Sequence, residues 1–341
     1  MSPGTPRGRR RRRNAAATVR PRCPRLPFGA FAPLANGVNH GAGAARARRF
    51  YNGPVPATLN ADLHCHSVVS DGTLTPEQLA ERARGNGVQL WALTDHDEIG
   101  GQHRAAAAAA AQGMQYLTGT EISVTFAGTT VHIVGLGFDP DDAQLADGLA
   151  QTRGGRGQRA QEMAQQLALV GVRGAFEGAL RYAGNPELIS RTHFARFLVE
   201  TGACRDTSEV FRRYLTEGKP GYVPHRWAAL GDAVRWVTEA GGIAVIAHPA
   251  RYKFSANEEF ALFSEFKQHG GRGVEVVTGS HAPSEYGTYA DMAREFGLAA
   301  SRGSDFHSPD ESHVDLGTLP PLPADLTPVW ELLADRIRPA P

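Results

Sequence analysis

Two short motifs near opposite ends of the chain carry side chains that typically bind metal ions. His64 and His66 lie in the segment Asp-Leu-His-Cys-His, and Asp305 and His307 lie in the segment Gly-Ser-Asp-Phe-His. In an extended strand, residues two apart point to the same side, so each pair can face one cation. A fold that uses both pairs in one metal cluster must bring these distant segments side by side.

Short apolar runs alternate with helical stretches from residue 57 onward, which predicts repeated βα units and a parallel sheet or barrel. Most of the runs end in, or just before, a histidine or a carboxylate, and only His132 sits near the start of its run. The loops at the carboxyl ends of barrel strands meet at one mouth, so these side chains should converge there. The seven runs are Thr58–His66, Val88–His96, Gln115–Ser123, Thr130–Gly137, Gly242–His248, Gly273–Thr278 and Leu298–Ser304.

The βα rhythm stops in the middle of the chain, where the pattern is helical and is interrupted by Gly, Asn-Pro and Gly-Lys-Pro-Gly. An insertion near the barrel mouth is the simplest explanation, and such caps usually select the substrate. The predicted parts are an Arg-rich tail at 1–56, a barrel at 57–147 and 225–318, a helical cap at 148–224, and a Pro-rich C-terminal segment with a short helix at 319–341.

The formal net charge of +1 hides a strong asymmetry along the chain. Residues 1–61 hold twelve of the 36 basic residues and no acid, which leaves 24 basic residues against all 35 acidic ones in the remainder. A negative body argues against general coating of DNA or other nucleic acid. The Arg-rich start lacks an apolar period, so we expect disorder. It is compatible with an organelle transit peptide, a nucleic-acid-binding arm or a mis-assigned start.

Three widely separated cysteines, Cys23, Cys65 and Cys204, exclude a disulfide framework and a Cys-x-x-Cys zinc site. A reducing cytoplasm is the expected compartment. No stretch approaches about 18 apolar residues, so we expect no membrane span. Cys65 lies between two candidate ligands, but strand alternation turns it away and favours a packing role. The oligomeric state stays open.

The candidate metal ligands are six imidazoles and three carboxylates: His64, His66, Asp71, His96, Glu121, His132, His248, Asp305 and His307. Catalytic metal sites commonly use about three protein ligands per ion, so nine ligands suit two or three ions. Mixed nitrogen and oxygen ligands without thiolate favour Mn²⁺, Zn²⁺ or Fe²⁺ over Ca²⁺ or Mg²⁺. We expect Mn²⁺, with Zn²⁺, Fe²⁺ and Mg²⁺ as alternatives. Clustered cations activate water and bind phosphate oxygens, so metal-bound hydroxide is the expected nucleophile and no protein nucleophile is needed.

Several of these residues also have simpler interpretations. Asp71 can serve the turn Ser-Asp-Gly instead of a metal, although that turn also lets it fold back toward His66. Asp95 and Asp97, which flank His96, fit supporting or helix-capping roles. The remaining histidines, His40, His103, His225, His269, His281 and His313, fit surface or local hydrogen-bonding positions.

These motifs, together with Leu-Thr-Asp-His-Asp, Gly-Thr-Glu-Ile-Ser and Ala-His-Pro, resemble the PHP (polymerase and histidinol phosphatase) family from about residue 60 to 317. The resemblance implies an α/β fold, a distorted (β/α)₇ PHP barrel with an inserted, mainly helical cap, and a trinuclear metal site. It assigns one ion to His64, His66, Glu121 and Asp305, a second to Glu121, His132 and His248, and a third to Asp71, His96 and His307.

Within the family, the insertion is similar to that of 3′,5′-nucleoside bisphosphate phosphatases, a subgroup that includes relatives trimming short RNA from the 5′ end. Ser190, Arg191 and His193 would bind a second phosphate outside the metal cluster, since a guanidinium binds phosphate bidentately. The alternative for Arg191 is an ordinary exposed helix start. The implied reaction hydrolyses the 3′-phosphoester and leaves a nucleoside 5′-monophosphate.

Three other functions remain open from the sequence. A histidinol-phosphate or other small phosphomonoester phosphatase would use the same chemistry but would need no second phosphate site. A module associated with a DNA polymerase lacks the polymerase-sized sequence. A non-enzymatic RNA-binding protein would act through the basic tail. The expected partner is a small nucleotide or a short RNA, without DNA and without a membrane.

Overall fold

The computed structural model of the chain describes residues 59–340, so the prediction for residues 1–56 lies outside the described residues. Seven strands form one sheet in sequence order: β1 (Ala61–Asp62), β2 (Leu90–Leu93), β3 (Gln115–Phe126), β4 (Thr129–Leu136), β5 (Ile243–Ile246), β6 (Gly273–Thr278) and β7 (Ala299–Gly303). Beyond β1, Leu63 N donates to Arg302 O at 3.0 Å and Asp305 N donates to His64 O at 2.8 Å. The sheet is therefore a nearly closed barrel.

The fourth strand corrects the expectation of a wholly parallel barrel. It pairs antiparallel with both β3 and β5, while the other neighbouring strands are parallel. Ala127 and Gly128 connect β3 to β4 with φ of +47° and +78°. A two-residue turn with left-handed residues suits the twist of a hairpin. Because β4 runs backwards, its first residues lie where the other strands end, which explains why His132 begins its run.

Ten α-helices lie within residues 59–340. The first begins as the sequence predicts: the Thr75 side chain accepts from Gln78 N at 3.3 Å, the Gln78 side chain accepts from Thr75 N at 2.9 Å, and Pro76 stands in the first turn. The helices are α1 (Pro76–Gly85), α2 (Gln102–Ala111), α3 (Ala143–Arg153), α4 (Arg156–Leu169), α5 (Ala175–Leu180), α6 (Arg191–Glu200), α7 (Thr207–Val210), α8 (Leu230–Glu239), α9 (Ala256–Gln268) and α10 (Tyr286–Phe296).

The inserted segment has a hydrophobic core of its own, to which Met163 of α4 and Phe194 of α6 belong. Helix α3 runs across residue 148, where the sequence pattern places the start of the cap. Its Leu145 and Leu149 pack into the core of the barrel layer. The elements that share the cap core therefore begin with α4, after the end of α3.

The C-terminal segment closes the barrel at the end opposite the carboxyl ends of the parallel strands. Val329 and Trp330, in a 3₁₀ turn, are 0% and 1% exposed and share a core with Leu136 and Ile243. Leu136 is the last residue of the reversed strand β4 and Ile243 is the first residue of β5, so both mark the amino end of the barrel. None of the helices in residues 59–340 combines the length and hydrophobicity that crossing a bilayer requires.

Candidate metal centre

The barrel mouth brings all nine predicted ligands together. They lie within or just beyond the mouth ends of six strands, or in the loop after β1: His64, His66, Asp71, His96, Glu121, His132, His248, Asp305 and His307. Isolated parallel bridges join Cys65 to Phe306 and His96 to Glu121. Backbone pairing thus continues past the strand ends and holds the ligand-bearing segments side by side.

Glu121 is the centre of the cluster. Five imidazole nitrogens lie within 3.4 Å of its carboxylate oxygens, namely those of His132, His248, His96, His64 and His66. The closest two, His132 Nδ1 and His248 Nε2, both lie 2.8 Å from Oε1. A carboxylate reached from so many sides is in a position to bridge two cations.

The other two carboxylates complete the cluster. Asp305 Oδ1 lies 3.3 Å from His66 Nε2 and 3.6 Å from His307 Nδ1, and Asp71 Oδ1 lies 3.5 Å from His307 Nε2. Within the described residues, the ligand atoms form three overlapping groups that each fit within 4.8 Å: His66, Asp71, His96 and His307; His64, His66 and Glu121; and His96, Glu121 and His132. The loop after β1 therefore does fold Asp71 back toward the histidines.

Among residues 59–340, several buried atoms of the cluster make no hydrogen bond of acceptable geometry, although some of them lie close to another predicted ligand: His66 Nδ1, Asp71 Oδ1, His96 Nδ1, Glu121 Oε2 and His132 Nδ1. Leaving a buried polar atom unpaired costs about 1–3 kcal/mol, so such atoms are rare unless something binds them. Cys65 takes no part, because its Sγ accepts from Trp91 Nε1 at 3.2 Å on the other side of the strand. The donor set is nitrogen and oxygen alone, which fits a cation of the Mn²⁺, Zn²⁺ or Fe²⁺ kind.

Charges and burial shift the pKa values of the cluster in opposite directions. Burial opposes ionisation of Glu121, yet His132 and His96 hold its pKa well below the usual range. Burial lowers the pKa of both His66 and His248 to about 3. Burial also disfavours protonation of His96, but Glu121 and then Asp71 outweigh it and raise that pKa to about 9. Carboxylate and neutral imidazole are the forms that bind cations, so a cation held by His96 would have to displace the proton of that imidazole.

Three non-glycine residues at the site have left-handed backbones: Asp97, His248 and Asp305, with φ of +48°, +25° and +53°. Such conformations cost roughly 1–3 kcal/mol each and persist only where the surroundings determine them. His248 N donates to Glu275 Oε2 at 2.7 Å, and Asp305 N donates to the carbonyl of His64. These bonds hold two of the ligand-bearing residues in strained positions at the mouth.

Three important residues of the site were not predicted from the sequence. Glu275, in the middle of β6, is 1% exposed and lies 2.8 Å from His64 Nδ1 through Oε1. Asp62 accepts from Ser304 N and thereby ties β1 to the segment after β7. Arg251 Nη1 lies 3.1 Å from Asp305 Oδ2. For Glu275, the available signal was an acid within an otherwise apolar strand, since a buried carboxylate needs partners.

The supporting roles predicted for Asp95 and Asp97 correspond to the contacts seen. Asp95 accepts from Ser67 N at 2.8 Å and from Ser70 Oγ at 2.6 Å, so it fixes the loop that carries Asp71. Burial raises the pKa of Asp95 to about 6. Asp97 accepts from Ser123 N at 2.6 Å and pairs with the buried guanidinium of Arg156.

A cavity of about 300 Å³, here called the metal cavity, opens above the cluster. Besides six of the nine predicted ligands, its lining includes Arg156, Arg159, Ser190, Arg191, Phe211, Trp227 and Arg251. Two of the three predicted phosphate-binding residues thus line it, and Ser190 Oγ donates to Asp71 Oδ2 at 3.1 Å. The third, His193, is fully buried, and its Nδ1 accepts from Ser190 N at 3.0 Å. Its contact in this structure is the N-terminal cap of α6.

The other histidines of the described residues have mixed positions. His281 is buried, its Nε2 accepts from Ala250 N at 3.2 Å, and burial lowers its pKa to about 4. His225 packs edge-on against Trp227 with ring centroids 4.2 Å apart. His313 lines the metal cavity, which its sequence context did not indicate.

A nearly closed α/β barrel with a buried histidine and carboxylate cluster at its mouth defines the class of metal-dependent barrel hydrolases. The PHP domain profile matches residues 62–194. The chain is 51% identical over 282 residues to the 3′,5′-nucleoside bisphosphate phosphatase of Chromobacterium violaceum, across 82% of this chain and 99% of the relative. The chain therefore belongs to the PHP family of metal-dependent phosphoesterases, and the resemblance of its motifs is confirmed.

Further relatives agree with this membership. The chain is 39% identical to a 5′-3′ exoribonuclease of Haemophilus influenzae, across 80% of this chain and 99% of the relative. A solved structure from C. violaceum, described as an amidohydrolase with bound sulfate and no metal, superposes with a TM-score of 0.80 at 50% identity, covering 83% of this chain and 98% of the other. A metal-dependent phosphoesterase structure from Bifidobacterium adolescentis superposes with a TM-score of 0.67 at 27% identity, covering 81% of this chain and 94% of the other.

Proposed function

We propose that this metal-dependent phosphoesterase hydrolyses the 3′-phosphoester of nucleoside 3′,5′-bisphosphates, releasing phosphate and a nucleoside 5′-monophosphate. The name of the C. violaceum relative supports this substrate class. We propose that short 5′-phosphorylated RNA is a second substrate, trimmed from its 5′ end. The exoribonuclease relatives, at 39% and 40% identity, support that part.

We further propose Mn²⁺ as the cofactor, two or three ions per chain, with Zn²⁺, Fe²⁺ and Mg²⁺ as alternatives. The unpartnered buried atoms of His66, Asp71, His96, Glu121 and His132 support a cation in the cluster. The proposed sets are His64, His66, Glu121 and Asp305; Glu121, His132 and His248; and Asp71, His96 and His307. Bound cations would supply positive charge to the phosphoester oxygens and lower the pKa of a water molecule.

The observation that carries the proposed substrate is a pair of guanidinium groups beside the cluster. Arg159 Nε donates to Val223 O at 2.9 Å and Arg191 Nη1 donates to Leu215 O at 3.4 Å, and within residues 59–340 neither forms a salt bridge. Burial, followed by the charges of Arg191 and Arg156, lowers the pKa of Arg159 to about 9. By contrast, Arg156 and Arg251 already pair with Asp97 and Asp305.

Two neighbouring guanidinium groups that form no salt bridge within residues 59–340 are suited to bind a dianion, and the 5′-phosphate of the substrate provides one. Arg159, Arg191 and Ser190 would then hold the 5′-phosphate, while the 3′-phosphoester lies over the metal ligands. A small phosphomonoester such as histidinol phosphate leaves this pair of cations uncompensated, which makes it the weaker candidate. The proposal of RNA binding through residues 1–56 concerns a part of the chain outside the described residues.

The test is phosphate release by the Mn²⁺-loaded protein from adenosine 3′,5′-bisphosphate, adenosine 3′-monophosphate and histidinol phosphate. We expect the bisphosphate to have the highest kcat/KM, because it alone carries both phosphates. Equal turnover of adenosine 3′-monophosphate would reject the 5′-phosphate site. A preference for histidinol phosphate would reject the substrate class while leaving the phosphoesterase chemistry intact.

The expected cytoplasmic location is likewise a proposal. Among residues 59–340, Cys65 and Cys204 are buried and form no disulfide, which suits a reducing compartment. Fractionation of the source cells with an antibody to the chain would test it, and recovery in a secreted or membrane fraction would reject it.

A further inference from the structure

The predicted metal ligands are held from two directions, by the barrel and by the cap. On the barrel side, Glu275 of β6 lies 2.8 Å from His64 Nδ1 and accepts from His248 N at 2.7 Å. Asp305 Oδ2 accepts from Arg251 Nη1 at 3.1 Å, and Arg251 lies in the turn after β5. Residues of the barrel therefore orient ligands of the first two proposed ions.

The third proposed ion is different, because each of its ligands lies beside a contact with the cap. These ligands are Asp71, His96 and His307. Ser190 Oγ, at the N-terminus of α6, donates to Asp71 Oδ2 at 3.1 Å. Asp97, which follows His96, pairs with the buried guanidinium of Arg156 at the start of α4. Two of the three ligand segments are thus held from the cap side.

The remaining ligand, His307, belongs to a loop that the cap contacts through an ion pair. His307 N donates to Ser312 Oγ at 2.8 Å. The residue before this serine, Glu311, accepts from Nε and Nη2 of Arg196 in α6 at 2.9 and 2.7 Å. The side chain of Arg196 is 7% exposed and that of Glu311 is 20% exposed. A bidentate pair that is largely shielded from water fixes both partners better than an exposed pair does.

The cap and the two loops that carry Asp71 and His307 are in direct backbone contact. A Cβ at Gly184 of the cap would overlap Val68 O, so the cap backbone lies on the loop after β1. Thr73 N, in the same loop, donates to His307 O at 2.9 Å. A shift of the cap would therefore move both ligands of the third proposed ion.

We propose that helix α6 of the cap completes the third metal site and that Arg196 positions this site through Glu311, whereas barrel residues position the ligands of the other two ions. The inference rests on the proposed function, which assigns three of the nine ligands to a third ion. Arg196 is a positioning residue, because a guanidinium is itself a cation and does not bind one. Since α6 begins with Arg191, the same helix would present a 5′-phosphate ligand and set the affinity for the third ion.

Electrostatics and positioning predict opposite results when Arg196 is replaced by a neutral residue. The replacement leaves Glu311, which lines the metal cavity, without its counter-ion. An additional uncompensated negative charge near the cluster would by itself strengthen the binding of cations. Loss of positioning would instead weaken the binding of the third ion. The sign of the change in affinity therefore separates the two effects.

The test titrates metal-free, full-length protein with Mn²⁺ and follows the free ion by electron paramagnetic resonance, for wild type, Arg196→Met and Arg196→Lys. Methionine keeps an unbranched apolar stem without the charge. Lysine keeps the charge but cannot form the bidentate pair, and it provides a second, milder variant. Arg181→Met, at an exposed cap position paired with Glu200, is the matched control. Circular dichroism checks that each protein is folded.

We expect wild type and Arg181→Met to bind three Mn²⁺ ions per chain. Arg196→Met should bind two ions with unchanged affinity and the third about 10- to 100-fold more weakly, with an intermediate loss for Arg196→Lys. A third ion bound as tightly as in wild type, or more tightly, would overturn the proposal.

A uniform weakening of all ions would also overturn the proposal, because the cap would then act on the whole cluster, and so would a wild type that binds fewer than three ions. The titration contains no substrate, so its outcome is independent of the proposed substrate class, which the phosphate-release assay decides.

Discussion

At the residue scale, Glu275 connects two ligands that belong to different proposed ions. Its Oε1 lies 2.8 Å from His64 Nδ1 and its Oε2 accepts from His248 N at 2.7 Å. The first contact keeps a proton on Nδ1 of His64 and leaves its Nε2 free to face the cluster. The second holds His248 in its left-handed conformation. One buried carboxylate therefore orients two predicted ligands that follow different strands.

We expect Glu275→Gln to weaken Mn²⁺ binding by about 10- to 100-fold, because a single amide oxygen cannot accept both bonds. Binding is measured by titrating the metal-free protein with Mn²⁺ and following the free ion by electron paramagnetic resonance. Glu265→Gln, at a half-exposed position in α9, is the control. Unchanged Mn²⁺ affinity in a folded Glu275→Gln protein would show that the carboxylate does not orient these ligands.

His281 makes the stability of the protein sensitive to acid. Burial lowers its pKa to about 4, whereas an unfolded histidine titrates near 6.5. Below pH 6.5 the unfolded chain binds a proton at this histidine, whereas the folded chain does not. The contribution of His281 to the free energy of unfolding is therefore complete above pH 6.5 and is lost as the pH falls toward 4. The loss from this group is about 2 kcal/mol by pH 5.

We expect His281→Asn to remove that part of the loss, measured by urea unfolding at pH 7 and pH 5. His103→Asn is the control, since this histidine is largely exposed and pairs with Asp141. A pH dependence that is identical in wild type and His281→Asn would contradict the assignment.

The residues at the site differ in how visible they are in the sequence. The sequence predicted four of the ligands, because residues two apart in a strand face the same side and can bind one cation: His64, His66, Asp305 and His307. Arg251 was not, because a single arginine in a loop has no spacing that distinguishes it from a surface residue. His193 shares the helix start with Arg191, and only the packing of the cap shows that it is buried.

At the element scale, helix α6 carries a phosphate-binding candidate to the metal cavity. Arg191 is its first residue, with its guanidinium carbon 5.8 Å from the ring centroid of Phe211. Phe211 begins a π-helical turn, Phe211–Leu215, whose last carbonyl accepts from Arg191. Such turns are rare and frequently occur at functional sites. The geometry of two cap elements therefore fixes one guanidinium.

We expect Arg191→Ala to lower kcat/KM for adenosine 3′,5′-bisphosphate by about 10- to 100-fold, because it removes a charged hydrogen bond to the 5′-phosphate. Hydrolysis of adenosine 3′-monophosphate should hardly change. Arg181→Ala, an exposed cap position paired with Glu200, is the control. A similar loss on both nucleotides would mean that Arg191 supports the fold of the cap instead.

The elements themselves were largely predictable. All seven strands occur where the apolar runs are, and the capping pattern at Thr75 predicted the start of α1. The direction of β4 was not predictable, because hydrophobic periodicity carries no information on whether a strand runs up or down. The position of the barrel–cap boundary, after α3, was also not predictable. The pattern of an amphipathic helix does not show whether its apolar face packs on the barrel or on the cap.

At the scale of the whole molecule, the C-terminal segment is part of the barrel core. Trp330 is 1% exposed beneath the amino ends of the strands, and its buried indole Nε1 has no hydrogen-bond partner in the described part of the chain. We expect Trp330→Ala to lower the free energy of unfolding by about 3–5 kcal/mol. Trp330→Phe should cost only about 1–2 kcal/mol, because it keeps most of the ring and removes the unpaired N–H.

Urea unfolding followed by circular dichroism measures both effects, with Leu169→Ala as the control at an 80% exposed position in α4. Losses for Trp330→Ala no larger than for Leu169→Ala would show that the segment merely lies against a barrel that is stable without it.

The joining of β1 to the segment after β7 also has a consequence for how the protein is made. A ribosome releases His64 and His66 long before Asp305 and His307, so the half-made chain carries an incomplete set of ligands around Glu121. Contacts between such distant residues form late and slowly, since a long loop must be closed first. All nine predicted ligands are therefore available only near the end of translation, and a nascent chain that stops before Asp305 cannot assemble the full cluster.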